Sequence, residues 1–214
     1  MSILGNIIPD YLLSNPDKIF FTSDTHFGHK NILKYCNRPF GSVSEMDDTL
    51  IRNWNKVVDE NSLVFHLGDF NFGGINFFKK IREQLNGHIV LIRGNHDTLP
   101  YKYDLTSYFE VIVPQLKIRL DQRTIYMNHF PYLCFSDGLV ENVIQLFGHV
   151  HTQRNGMSPD ANQLKYLNTN QYDVGVDFNN YTPISWPEVQ DKINYQISSN
   201  KNMIEVLNEN NSSK

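Results

Sequence analysis

Five short apolar runs punctuate the chain, and each ends abruptly in small, acidic or imidazole residues. Ile19-Phe20-Phe21-Thr22-Ser23 leads into Asp24-Thr25-His26, and Leu63-Val64-Phe65-His66-Leu67 into Gly68-Asp69. Ile89-Val90-Leu91-Ile92-Arg93 leads into Gly94-Asn95-His96-Asp97, and Thr124-Ile125-Tyr126-Met127-Asn128 into His129. Val143-Ile144-Gln145-Leu146-Phe147 leads into Gly148-His149-Val150-His151. Near-continuous apolar runs of this length read as buried strands.

Between the early runs the apolar period lengthens to that of a helix. Val43, Met46, Leu50, Ile51, Trp54, Val57 and Val58 recur at three- and four-residue spacing, with Ser44 and Asp47 as a candidate capping box. Further helices are expected over Ile75–Leu85, ended by Asn86-Gly87, over Lys30–Tyr35, and over Pro187–Ile197 with proline at its start. Strand–helix–strand order through residue 97 predicts an α/β core. After residue 110 the strands crowd together, at Glu110–Val113, Leu116–Leu120 and Thr124–Asn128, which suggests a second sheet with antiparallel pairs. Residues 152–170 read as a polar loop and a short strand, and Tyr172–Phe178 as a strand. No repeat or linker divides the chain, so residues 1–207 are expected to form one domain and residues 208–214 a disordered polar tail.

Composition narrows the function. The chain has 214 residues, 40% hydrophobic and 20% charged, as in an ordinary globular domain. Its net charge of −4 argues against a broad nucleic-acid-binding face, which is normally basic. A small phosphate-bearing substrate stays compatible, because bound metal ions make a pocket locally positive. Cys36 and Cys134 form no metal-binding pair and no disulfide framework, the pattern of reduced thiols in a cytoplasmic protein. The segment Met1–Tyr11 lacks the basic start and long apolar run of a secretory signal, and no segment approaches the ~20 apolar residues of a membrane span.

The chemistry lies in what terminates the strands. Strand ends hold groups rigidly while exposing them at one edge. That edge would collect Asp24, His26, Asp69, Asn95, His96, His129, His149 and His151. Carboxylate, amide oxygen and imidazole without thiolate suit Mn, Fe, Zn or Ni rather than a structural zinc–thiolate site. Each fragment alone is a common turn signal. The five together, in this order, are far less easily explained as turns.

In that order the motifs Asp24-x-His26, Gly68-Asp69, Gly94-Asn95-His96-Asp97, His129 and Gly148-His149-x-His151 resemble the calcineurin-like metallophosphoesterase superfamily. Ser23-Asp24-Thr25-His26-Phe27-Gly28-His29 is similar to its small bacterial and phage members. The resemblance implies a four-layer αββα sandwich of two mixed β-sheets flanked by helices. It implies two divalent metal ions, Mn being favoured. Asp24, His26 and His151 would hold the first, Asn95, His129 and His149 the second, and Asp69 would bridge. His96 would sit beside the phosphate as the catalytic residue without binding metal. A metal-bridging hydroxide would attack phosphorus in line, across a metal pair ~3.5–4 Å apart. The Gly-Asp-x-Val-Asp-Arg-Gly motif of the protein phosphatase branch is replaced here by Gly68-Asp69-Phe70-Asn71-Phe72-Gly73, so the acid that orients the catalytic histidine in that branch falls on Phe72.

The sequence therefore points to a phosphodiesterase acting on a nucleotide-like or other small diester. A phosphomonoesterase is the nearest alternative. A nuclease fits the acidic balance less well, and a non-catalytic scaffold would lack ligands that are all present here. His29, Arg38 and Asp97 are further candidates for substrate or supporting roles, Arg38 as a phosphate binder and Asp97 as a candidate for orienting His96. Asp177 is a weaker supporting candidate. Arg93, His66 and His88 read as structural or surface residues.

Overall fold

The computed structural model describes residues 8–135, 142–153 and 164–212. Strands β1 (Ile19–Thr22), β2 (Leu63–His66), β3 (His88–Ile92) and β4 (Val111–Val113) pair in parallel, and β9 (Ile184–Ser185) closes the other edge antiparallel to β1. The order of this sheet is β4-β3-β2-β1-β9. The second sheet has the order β5-β6-β7-β8 and contains β5 (Gln115–Leu120), β6 (Arg123–Asn128), β7 (Val143–Phe147) and β8 (Gln171–Asp173). Only β5 and β6 are antiparallel in it. Both sheets are thus mixed, and helices flank them, as the sequence motifs implied.

Alternation along the strands decides which layer each side chain enters. Ile19, Phe21, Leu63, Phe65, Val90 and Ile92 join Ile125, Met127, Ile144 and Leu146 in the core between the sheets. Phe21 and Phe65 are register partners with stacked rings 5.4 Å apart. The intervening Phe20, Val64, Ile89 and Leu91 face outward into a second core. That core is completed by Met46, Leu50 and Trp54, and by Phe78 and Ile81.

The helices are α1 (Asp10–Leu13), α2 (Ile32–Tyr35), α3 (Val43–Val57), α4 (Ile75–Arg82), α5 (Trp186–Ser199) and α6 (Met203–Ser212). None is long and apolar enough to cross a membrane. The cap of α3 is Ser42, whose hydroxyl accepts from the Glu45 amide at 3.1 Å, rather than Ser44. Asp47, freed from capping, accepts instead from the Gly28 amide at 3.1 Å. The α5 cap is a full box between Ser185 and Glu188, with Pro187 in the first turn where its missing N–H is harmless.

Three further sequence expectations change. β4 joins the first sheet rather than the second: its flanks are fixed by Glu110 N donating to Ile89 O at 2.8 Å and Arg93 N to Val113 O at 2.8 Å. Pro114, which has no amide to offer a ladder, separates it from β5. The strand read over Tyr172–Phe178 stops at Asp173, because that carboxylate turns back to accept from the Gly175 amide at 2.7 Å. The tail at 208–214 is helical through Ser212, within α6. Asn202 starts that helix by accepting from the amides of Ile204 and Glu205, while Glu205 accepts from the Asn202 amide.

Candidate metal centre at the strand ends

Because β1, β2 and β3 are parallel, and β6 and β7 likewise, the carboxyl ends of both groups meet at one rim of the sandwich. Hydrogen bonds lace that rim together. Asp24 N donates to Gly68 O at 2.9 Å and His26 N to Asp69 O at 3.0 Å. Across the sheets, His149 N donates to Asp24 Oδ2 at 2.9 Å, and His129 Nδ1 to Leu67 O at 2.7 Å.

Local backbone shape then concentrates the side chains. Asp24, His26, Asp69, His149 and His151 all have left-handed φ, between 47° and 72°. A left-handed residue just after a strand breaks its extended course at that point. Gly68, at φ +98°, opens one of these turns. Gly94 must lack a side chain, since a Cβ there would lie 2.2 Å from Asp69 Oδ1.

The result is a buried donor cluster. Asp24, His26, Asp69 and His129 are each at most 2% exposed. Asp69 Oδ2 lies 3.5 Å from His26 Nε2 and 3.4 Å from His129 Nε2. Asp24 Oδ1 is 3.9 Å from His26 Nε2 and 3.7 Å from His151 Nε2. Asp24 Oδ1 and His26 Nε2 are buried yet make no hydrogen bond. Such atoms are costly unless something else satisfies them. Three groups, Asp24/His26/His151, Asp24/Asp69/His129 and Cys36/His151/Asp177, have ligand atoms within 4.8 Å of one another, and the first two share Asp24. Oxygen and imidazole donors, close together and left unsatisfied, fit divalent metal ions.

Titration behaviour agrees with that fit. Burial, reinforced by neighbouring His151, holds His26 well below the ordinary imidazole range, in its ligand-competent neutral form. Burial pulls His129 down too, but the bond to Asp69 and the charge of Asp24 outweigh it and raise it to about 9. Burial of His151 is likewise outweighed, by the charge of Asp24 and the bond to Asp177. Asp69 would rise on burial, yet His129 and the His96 amide keep it below the usual carboxylate range. Two carboxylates here collect positive charge from whatever source is present.

The profile of the calcineurin-like phosphoesterase family matches residues 17–204. The chain belongs to that family. Protein MJ1445 of Methanocaldococcus jannaschii, itself uncharacterised, is 40% identical over 172 residues, spanning 78% of this chain and 86% of its own. Gene 66 protein of Mycobacterium phage L5 is 30% identical over 134 residues, 53% of this chain and 63% of its own. A crystal structure of AQ665 from Aquifex aeolicus, a protein of unknown function, superposes with a TM-score of 0.61 at 26% identity, covering 81% of this chain and 97% of that one. Membership makes the protein a metal-dependent phosphoester hydrolase, and the donor cluster supplies candidate ligands for the metal.

The remaining positions of the calcineurin-like pattern divide between rim and interior. Asn95 Oδ1 meets His129 Nε2 at 3.1 Å, and the His149 ring stands 5.1 Å from that of His129. His96 is 46% exposed at its side chain; its amide donates to Asp69 Oδ1 at 2.8 Å, and Nε2 is 4.0 Å from Asp69 Oδ2. Asp97 does not orient the His96 ring. Its carboxylate is occupied by the amides of Gly94, Asp69 and Phe70, at 2.8, 2.8 and 2.9 Å, and so ties two ligand loops together. His29 touches His26, Nδ1 to Nδ1, at 3.3 Å.

Arg38 is not a phosphate binder. It is buried, with Nε and Nη2 donating to the two oxygens of Asp177 at 2.9 Å each, Nη2 to Asp24 O at 2.6 Å and Nη1 to Thr25 O at 3.0 Å. His66 and His88 are structural as expected, bonding Thr25 Oγ1 at 3.0 Å and Glu110 at 2.7 Å. Arg93 lies over the Tyr101 ring, 4.5 Å from its centre.

Sequence reasoning gave little weight to Asp177 and assigned no role at the centre to Asp173, Phe72 or Phe130. Asp177 bonds His151 Nδ1 at 2.8 Å and is a stronger participant than its sequence context suggests. Asp173 is fully buried near Asp24; burial, and then the Asp24 charge, raise it to about 7. Phe72 and Phe130 are 39% and 43% exposed although apolar. Phe72 lies 5.2 Å from the His26 ring, and Phe130 lies 4.6 Å from that of His149. An exposed phenyl beside a strand-end motif carries no periodicity signal, but the aromatic residue directly after His129 was a cue.

Proposed function

We propose that the protein is a dinuclear phosphodiesterase for small, nucleotide-like diesters. In this reading Asp24, His26 and His151 hold one ion, Asn95, His129 and His149 the other, and Asp69 is shared. The observation that carries it is the position of Asp69 Oδ2, which lies 3.5 Å from His26 Nε2 and 3.4 Å from His129 Nε2, between the two proposed ligand sets. Divalent ions held by these residues, Mn foremost and Fe, Zn or Ni as alternatives, would supply Lewis acidity toward the phosphoryl oxygens and would acidify water.

The chain's own groups do the rest. His96 is solvent-facing, and its main chain is pinned by Asp69, so its ring can meet a bound ester and pass a proton to the departing oxygen. Asp97 keeps the Gly68-Asp69 and Gly94-Asn95 loops in register, fixing the distance between Asp69 and His96. Phe72 and Phe130 favour the diester. They flank different ligand sets, and a diester carries a group on each side of phosphorus that such rings can cover by stacking.

The test compares bis-p-nitrophenyl phosphate with p-nitrophenyl phosphate across Mn, Ni, Zn and Mg, with metal content measured in parallel. Two ions per chain and faster diester hydrolysis are expected. A strong preference for the monoester overturns the substrate assignment, and full activity in chelated, metal-free protein overturns the mechanism.

A further inference from the structure

Three imidazoles at the centre, His26 and His129 buried and His151 largely so, each have Nδ1 engaged and Nε2 turned toward a carboxylate, but by different means. His129 Nδ1 donates to a main-chain carbonyl, Leu67 O, at 2.7 Å. His26 Nδ1 meets His29 Nδ1 at 3.3 Å. His151 Nδ1 meets Asp177 Oδ2 at 2.8 Å, which leaves Nε2 facing Asp24 Oδ1 at 3.7 Å. Asp177 is itself immobilised. Arg38 grips both its oxygens at 2.9 Å and also donates to the carbonyls of Asp24 and Thr25. One buried guanidinium therefore fixes the main chain of one proposed ligand, Asp24, and through Asp177 the ring of another, His151. It also neutralises the Asp177 charge, so that a third carboxylate can stand behind the site without joining it.

A carboxylate on the far nitrogen of a metal-binding imidazole fixes its rotation and raises its basicity. We propose that Asp177, held by Arg38, is a positioning residue that sets the metal affinity of the Asp24/His26/His151 subsite, and that the subsite around His129 is independent of it. This rests on the two-ion reading above. The asymmetry has a physical source. A carbonyl that belongs to the strand end orients His129, whereas His151 depends on a side chain delivered from residue 177, beyond β8. The two subsites should differ in how readily they can be emptied.

The experiment is Mn titration calorimetry with parallel elemental analysis on the wild type, Asp177→Asn and the double variant Arg38→Met/Asp177→Asn. The double variant removes both buried charges and so guards against loss of folding in the single one. Wild type should bind two ions. Both variants should keep one ion at wild-type affinity and bind the other about 10- to 100-fold more weakly. With Co substituted for Mn, one ligand-field absorption band should weaken while the other persists, a change that general destabilisation does not produce. Equal affinity for both ions in a folded variant overturns the proposal, as does equal weakening of the two. If the wild type itself binds fewer than two ions, the two-ion reading fails instead, and the two failures are told apart by the wild-type titration.

Discussion

The ring of Phe72 stands 4.7 Å from that of His96 at an angle of 49°, and its face stacks on His29 at 3.7 Å. An aromatic wall therefore occupies the position from which the protein phosphatase branch orients its histidine with an acid. The His96 ring thus has Phe72 beside it and the Asp69 carboxylate 4.0 Å from its Nε2. Phe72→Ala should lower kcat by about tenfold and leave metal content unchanged, since truncating a positioning contact loosens geometry without removing a ligand. Unaltered kcat in a steady-state assay would show that the wall is incidental.

His96 and Asp69 should separate chemistry from metal retention. His96→Ala is expected to lose about 10²- to 10⁴-fold in kcat while keeping its ions, as removal of a proton-transfer group does. Asp69→Ala should lose both activity and ions. Elemental analysis beside a diester assay checks the pair, and metal loss in the His96 variant would contradict its assignment as a non-ligand.

Metal uptake should strengthen as pH rises. In the metal-free protein His129 titrates at about 9 and His151 is also raised, so both bind protons that an incoming ion must displace. Affinity should climb by up to about tenfold per pH unit for each proton displaced, flattening as pH approaches the His129 value. The same shift has a stability consequence of known sign. The His129–Asp69 contribution is fully present below the ordinary imidazole pKa and is lost as pH rises through about 9. Mn affinity that does not change with pH would count against these histidines as ligands.

His66 should give the fold an acid-sensitive element of its own. It accepts from Gly68 N at Nδ1 (3.3 Å), so it is neutral with its proton on Nε2, and burial depresses its pKa to about 3. A depressed folded-state pKa means that the unfolded chain binds the proton first. This stability is complete above the ordinary imidazole pKa of ~6.5 and drains away as pH falls toward about 3. His66→Gln should be less stable at neutral pH by roughly 1–3 kcal/mol, through lost buried hydrogen bonding, but should unfold less steeply with acid. Denaturant midpoints measured across that range decide it.

Much of this architecture is legible because its signals are local. Strands β1, β2, β3, β6 and β7 declare themselves as apolar runs, and their terminal motifs lie within a few residues of each run. Misreadings arise where the determining partner is remote. Arg38 looks like a phosphate binder in Asn37-Arg38-Pro39, yet its partner Asp177 is 139 positions away. Asp97 looks poised to orient its neighbour His96, yet the chain turns it inward to amides of the preceding ligand loop. β4 sits among strands of the second sheet in sequence, and only long-range pairing with β3 assigns it to the first.

The left-handed turns at the strand ends carry one more implication. Ten non-glycine residues among those described have positive φ, and five of them are proposed ligands. A side chain in that conformation costs about 1 kcal/mol or more relative to glycine. Glycine at Asp24, Asp69 or His151 would relax the backbone, but it would also remove Asp–His pairs and, at the two aspartates, the acceptors that hold the ligand loops. Such variants should be inert as enzymes and should melt below the parent, because a lost buried pair costs more than the relaxed backbone returns. Backbone strain is thus concentrated at the working edge, where it persists because the same side chains bind one another and the surrounding main chain.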